Sequence, residues 1–500
     1  MKLDTILHNI PYNILQGHLD KKISHISFHH EDVMKSDTIF VAIKGSNHDG
    51  HKFISQLHTK NINAIVVEED IGEIEEHITV IKVNNTRKVL GQIARNFYQH
   101  PDEKLNVIGI TGTNGKTSVS YFLHKIFTLA NFKTGKIGTN GIFINDEKIN
   151  YTKTTATTPE NRDLYEILHY MHNHDIDTCL IEVSSHALDF HRVVDVCFDT
   201  GLFINLSPEH LEQHKNLNQY FESKAKLFEQ VNNYQIINVD DKFGKLLAER
   251  NKAKSKNIYT IGIHNKADIY ATDIQYTLKK TTFTVHTPTY KMDVTVHLPG
   301  EVYVYNSLMA IATAYAYNIP KQIIQQGIND VTSIPGRFNI IYDKNNIQVI
   351  IDFAHTEEAL NNLLQTVKPF VKGKLILVFG VYADMSPSGQ EKRYNMGKVA
   401  GKYADYSVIT LDNPKNFDQE IIINEIAEGT KSETDNFTTF FDREEAIRHA
   451  VEMSNENDMI IIAGKGHETT QLIGGEEIPI NEKEIVLDSL KESVSYVHLD

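Results

Sequence analysis

Short apolar runs alternate with amphipathic stretches along the whole chain. In the first hundred residues ISHISF, TIFVAI and NAIVVEE read as strands, and GSNHDGHKFISQLH reads as a polar loop running into a helix. The helix VLGQIARNFYQH then stops at Pro101, because proline cannot continue it. Beyond it the strand-like segments CLIEVSS (179–185), TGLFINLS (200–207) and YQIINVDD (234–241) are separated by helical or polar segments. A β-rich insertion follows, ATDIQYTLKKTTFTVHTP and YKMDVTVHLPG, and the helix NSLMAIATAYAYN leads to a second hinge at SIPGR. QVIIDFAH, LILVFG, YSVIT and MIIIAGKGHE then restart the alternation. The pattern predicts an α/β chain of three domains: a small α/β domain over 1–100, a central domain with a mostly parallel sheet over 101–332, and a Rossmann-like domain over 333–500.

The stretch that carries chemistry is VIGITGTNGKTS, Val107 to Ser118. Val107 to Ile110 suggest a buried strand, and Thr111 to Thr117 form a turn dense in Gly, Thr and Asn. Apolar residues at Val119, Phe122, Leu123, Ile126, Phe127 and Ala130 then have helical spacing. Strand, glycine-rich turn and helix N-terminus together cradle phosphates with backbone N–H groups from Gly112, Thr113, Asn114, Gly115 and Ser118. Lys116 adds a point charge on the outer phosphates, and the Thr117 hydroxyl reaches a Mg2+ ion. The generic phosphate-loop pattern asks for glycine where Ile110 stands, so only the narrower string TGTNGKT is intact.

Composition narrows the class. Five hundred residues exceed one hydrophobic core. A formal charge of −15 argues against a nucleic-acid binder, though a local basic pocket can hold a small anionic substrate. Cys179 and Cys197 make no disulfide scaffold and no CxxC, which fits a reduced, cytoplasmic setting. The N-terminus does not read as a signal peptide, and no run approaches the roughly 18 apolar residues of a membrane span. Small-molecule partners and a monomer are expected.

The motifs together resemble the Mur ligases, and within them the enzymes that add the third residue to the UDP-N-acetylmuramoyl peptide. The resemblance runs over essentially the whole chain. It implies ATP-dependent amide bond formation through an acyl phosphate, with ATP and Mg2+. Glu182 ends CLIEVSSH, where a carboxylate beside Thr117 suits a hard cation, or else a helix N-terminus. His210 in PEHLEQH and Lys224 in YFESKAKLF complete the implied metal and catalytic set with Lys116. By resemblance Lys224 is carbamylated, since a cationic lysine is a poor ligand; without that context it reads as a solvated helix lysine. Glu209 and Glu212 replace two aspartates of the family's DHLDxH, a change in the surroundings of the site. By resemblance Asn306, Arg337, Asp352 and His355 hold the nucleotide, with Asp352 on the ribose. Taken alone, Asn306 at the opening of its helix could be an N-cap, and Arg337 a surface ion pair.

For the UDP-substrate the resemblance implies Thr157, Thr158, Ser184 and Arg192, in TTATTPE and SSHALDFHR. A guanidinium is apt there because it clamps carboxylate or phosphate through two hydrogen bonds. Phe28, His29 and His30 stand where the family usually shows Asp-Ser-Arg, whereas DGH (49–51) is retained. For the incoming amino acid the implied residues are Arg393, Asp412, Asn413, Lys415, Gly464 and Glu468. Members using diaminopimelate carry DNPR; this chain has DNPK, which keeps the charge but loses the bidentate fork. GVYADMSPSGQEKRYNMG (380–397) also replaces a shorter family loop, with Arg393 expected to keep the carboxylate-binding arginine. A carboxylate-bearing amino acid is favoured over lysine. A ligase acting on another acceptor and a silent nucleotide-binding regulator are the competing readings.

Overall fold

The computed structural model describes residues 1–500 apart from 30, 32–35, 46–48, 58–61, 73, 152–154, 210, 254–256, 345 and 498–500, and apart from the side chains of 211, 212 and 492–497. Two residues singled out above, His30 and His210, therefore lie outside the described residues. Three main sheets follow one another along the chain, of five, eleven and six strands.

The first sheet runs in the order Asn13–Gln16, Thr79–Lys82, Ile62–Val67, Thr38–Val41, His25–Ser27. Its edge strand NILQ and the strand TVIK, four residues each, add to the strands expected from the sequence. The helix expected at the end of GSNHDGHKFISQLH is a 3-10 helix, Gly50–Leu57. Helix Thr86–Phe97 closes this unit and is capped by Asn85, whose side chain accepts from Lys88 N.

At the centre of the second sheet lies Asn106–Thr111, buried over five of its six residues. It pairs in parallel with Thr178–Glu182 on one side and Phe198–Phe203 on the other. A strand buried on both faces is apolar without alternation, which is why VIGI shows no period of two. The register sets Glu182 level with Ile110, so its carboxylate emerges beside the loop that follows Thr111. The phosphate-loop helix, Lys116–Leu129, packs against helix Glu301–Ala316. That second helix starts five residues before Asn306, so Asn306 does not open it. The antiparallel strands Ile269–Thr277, Lys280–His286 and Lys291–Val296 are the β-rich insertion and end one side of the sheet. A hairpin, Thr134–Gly138 with Gly141–Ile144, extends the other side.

The third sheet is parallel except for Asn339–Lys344. Asp352, Ala463 and Phe379 lie level at the carboxyl ends of three adjacent strands, where ligands gather in such sheets. Helices Pro387–Tyr403 and Gln419–Lys431 pack closely beside them. A Cβ at Gly397 would meet the carbonyl of Ile426, and one at Gly429 the carbonyl of Tyr394. Gly429→Ala should therefore force the helices apart and cost about 1–3 kcal/mol, as overpacking does. Chemical unfolding would check this, and an unchanged denaturation midpoint would refute the contact.

Candidate functional site

A tight turn at Gly115 brings functional side chains together. Gly115 precedes the phosphate-loop helix at φ 92°, in the left-handed region, and a Cβ there would strike the Asn306 amide. The loop is shaped by the chain after Phe203: Asn114 N donates to Asn205 Oδ1 at 3.0 Å, and Ser207 N donates to Thr113 Oγ1 at 3.0 Å. Asn306 is buried, with its Oδ1 facing Gly115 and lacking a hydrogen-bond partner. An N-cap role is excluded, and an unmet acceptor against a phosphate loop suits a nucleotide.

Lys116 Nζ donates to the carbonyls of Gly112 at 2.8 Å and Thr113 at 2.9 Å. Lys224 Nζ donates to the same Gly112 carbonyl at 2.9 Å and lies 4.6 Å from the Tyr220 ring. Burial pulls both lysines below their ordinary pKa, Lys224 far below, with Lys116 adding repulsion. The carboxylates of Glu209 and Glu182 partly offset this for Lys116. Lys224 is thus buried beside the loop and is not a solvated helix lysine.

Glu182 is almost wholly buried, and its Oε2 accepts from Thr117 Oγ1 and from Thr139 Oγ1, each at 3.0 Å. A Cβ at Gly138 would fill the space that this carboxylate occupies. A carboxylate and two hydroxyls at the loop mouth form a hard oxygen set, which fits Mg2+. Thr139 carried no signal in the sequence, because only the strand register brings it to Glu182.

Across a cavity of about 720 Å³ stands the third sheet. Asp352 accepts from Phe338 N and Ala354 N, each at 2.7 Å, and burial raises its pKa. The Arg337 guanidinium lies 4.4 Å from the Phe353 ring and lines the cavity, so it is no surface ion pair. His355 Nε2 sits 3.3 Å from Glu209, and Asn114 Nδ2 donates to Glu358 at 2.9 Å. Both contacts join the central and C-terminal units, and Glu209 proves to line the cavity itself.

Asp412, Asn413, Gly464 and Glu468 line the far end of the same cavity. They are tied by Lys465, which the sequence reading passed over inside GKGHE. Its fully buried Nζ donates to Glu468 at 2.9 Å and Asn413 at 3.1 Å, with Asp412 at 3.5 Å. Lys415 lies beside this end, its ammonium 4.1 Å from the ring of Tyr382, which lines the cavity.

Arg393 departs from expectation. It is 1% exposed and absent from the cavity wall. Its Nε donates to Glu425 and its Nη1 to the Asp384 carbonyl, each at 2.5 Å. The guanidinium thus anchors the 380–389 loop instead of facing a ligand, because a helix-to-helix ion pair satisfies it inside the domain.

Thr158 Oγ1 donates to Glu182 O at 2.8 Å and accepts from Ser184 N at 3.1 Å. Thr157 and Ser184 line the cavity, and Ser184 caps helix Ser185–Asp189. Arg192 donates to Glu160 at 2.9 Å. Phe28 and His29 lie in the first unit with ring centroids 4.2 Å apart and planes tilted by 44°.

A phosphate loop that faces a Rossmann-like sheet across one cavity defines a nucleotide-dependent enzyme. The Mur ligase middle domain matches residues 110–314, the Mur ligase glutamate ligase domain residues 336–466, and the Mur ligase family catalytic domain residues 33–98. The chain belongs to the Mur ligase family, ATP-dependent ligases that form carbon–nitrogen bonds. It is 40% identical over 492 residues to the UDP-N-acetylmuramoyl-L-alanyl-D-glutamate–2,6-diaminopimelate ligase of Clostridioides difficile (strain 630), covering 98% of this chain and 100% of that one. The enzyme of the same name from Clostridium perfringens (strain 13 / Type A) is 38% identical over 496 residues, with 98% and 100% covered. Among solved structures, a ligase of that name superposes with a TM-score of 0.68 at 26% identity over 99% of each chain. The MurF ligase of Thermotoga maritima in complex with ADP shares the fold, with a TM-score of 0.64 at 16% identity over 94% of this chain and 98% of that one.

Lys136, on the strand beside Glu182's, lies 3.9 Å from the Tyr121 ring and 4.5 Å from the Phe143 ring. Burial lowers its pKa to about 8 from 10.5. Between those values the unfolded chain holds a proton that the native state has shed, so this residue's contribution to stability rises with pH across that window. Lys136→Met should raise stability at pH 7, by at most about 3 kcal/mol, and flatten the rise between pH 8 and 10. Thermal unfolding across pH would show it; an unaltered slope would contradict the assignment.

Proposed function

We propose that this chain joins the amino group of an amino acid bearing a second acid group, 2,6-diaminopimelate by name in its relatives, to UDP-N-acetylmuramoyl-L-Ala-D-Glu at the expense of ATP. The observation that carries the reading is the single cavity walled by the phosphate loop, Glu182, Asp352 and the Asp412–Glu468 cluster. It holds a phosphoryl donor at one end and an amino acid at the other.

In this scheme the loop amides and Lys116 bind the nucleotide phosphates, with Asn306, Arg337, Asp352 and His355 on the rest of the nucleotide. A Mg2+ held by Thr117 and Glu182 would neutralise charge on the phosphoryl oxygens. Thr157, Thr158 and Ser184 orient the acceptor so that its carboxylate attacks the γ-phosphate, releasing ADP and leaving an acyl phosphate. The amine then attacks the acyl carbon, and phosphate departs. Asp412 and Glu468 hold the amino acid's ammonium, while Lys415 and Tyr382 stand nearest its distal end. His210 is a candidate base for the amine's proton. Lys224 is suited to carbamylation, because burial favours the neutral amine that reacts with CO2. Orientation across the cavity supplies much of the acceleration.

Purified protein given ATP, Mg2+, the UDP-muramoyl dipeptide and a panel of amino acids should release phosphate with diaminopimelate. Lys116→Met should cut kcat by about 10²–10³-fold, the scale of losing one transition-state donor. Release with no member of the panel would sink the cell-wall reading; release only with a different acceptor would reassign the substrate. A silent regulator would release none and would bind ATP alone.

A further inference from the structure

Asp49 and His51 are the outer residues of DGH, which the chemistry above does not use. Their ligand atoms and one from Glu69 lie within 4.8 Å of one another, as a cation site would require. Both His51 nitrogens are engaged, however. Glu68 N donates to Nε2 at 3.0 Å, which puts the ring proton on Nδ1, where it is donated to Asp49 at 2.7 Å. The histidine fixes Glu68 instead of a metal.

From there a chain of hydrogen bonds leads out of the first unit. Glu68 Oε1 accepts from Thr86 N at 2.8 Å and Thr86 Oγ1 at 2.9 Å, at the first turn of helix Thr86–Phe97. The next residue, Arg87, donates from Nη1 to Glu160 Oε2 at 2.9 Å, while Arg192 Nε donates to Oε1 of the same carboxylate at 2.9 Å. The two guanidiniums flank one ring, Phe190, at 5.5 and 5.9 Å. Asn161 seals the junction by donating to Arg87 O at 2.7 Å and His191 O at 3.3 Å. Glu160 is buried and lies two residues from Thr158, whose hydroxyl joins Glu182 O to Ser184 N.

We propose that Arg87 is a positioning residue for the acceptor half of the site. It acts through Glu160, which two arginines from different units hold at both oxygens, and so sets the segments 157–160 and 184–192 against the first unit. Arg192 shares that task through its Nε. A carboxylate held at each oxygen by a separate charge-assisted hydrogen bond is fixed in orientation as well as distance, which one contact alone would not achieve. The inference rests on the acceptor reading above for the substrate it names, but its geometry does not.

The test uses the full chain and two measurements. In Arg87→Ala, amide hydrogen exchange in 157–161 and 184–192 should rise at least about tenfold while 107–118 stays unchanged. The KM for the UDP-muramoyl dipeptide should rise about tenfold, with KM for ATP within about twofold and kcat retained at saturation. Arg87→Lys should recover part of both effects, and Glu160→Gln should reproduce the Arg87→Ala pattern should that variant fail to fold. Gln92→Ala, which breaks an exposed bond to Asp195 across the same boundary, should change neither. Unchanged exchange in 157–161, or a parallel rise in both KM values, overturns the proposal. Should the wild type turn over no acceptor, the substrate reading falls while the exchange measurement still decides this one.

Discussion

Two lysines, Lys224 buried and Lys116 partly so, converge on one carbonyl oxygen. Lys116 and Lys224 both donate to Gly112 O, at the turn where the central strand becomes the phosphate loop. Burial strips hydration from both ammonium groups and lowers both pKa values, and for Lys224 the nearby Lys116 adds repulsion. The nearby Glu182 and Glu209 carboxylates offset part of that cost for Lys116. The rest of the site follows from holding this turn: Asn205 and Ser207 shape it, Asn306 fills the space above Gly115, and Glu182 is set beside it by strand register.

No single unit contains the site. The central unit supplies the phosphate end, the third sheet supplies Arg337, Asp352 and the cluster around Lys465, and direct bonds such as Asn114 to Glu358 span the gap. The first unit is joined to the central one by Arg87, which donates to Glu160. Such an arrangement is complete only when the units are correctly seated, which lets substrate binding and closure act together. Among the described residues no helix is long and apolar enough to cross a membrane.

What was legible in the sequence was contiguous. VIGITGTNGKTS contains its own strand, turn and helix N-terminus, so hydrophobic spacing and the two glycines of the turn, Gly112 and Gly115, suffice to read it. The strands after 333 were legible for the same reason, since each is an apolar run bounded by polar residues. Contacts between distant segments were not legible. Arg393 looked like a ligand-facing arginine, and only the packing of helices Pro387–Tyr403 and Gln419–Lys431 shows it spent on Glu425. Asn306 looked like a helix opening because NSLMAIATAYA is the apolar part of a helix whose first turn, EVYVY, also reads as a strand.

The chemical inventory was therefore largely determined by the sequence: a phosphate loop, a carboxylate for a cation, a lysine motif whose burial only the structure shows, and an acid-rich amino-acid cluster. Tertiary structure decided which of these face the same cavity and which are consumed in holding it. The reason is physical. A charged side chain inside a protein must find a partner, and whether that partner is a substrate or another residue depends on distances between segments that are far apart in the chain. Lys465, Arg393 and Arg87 differ in role for that reason and not because of their composition or local spacing.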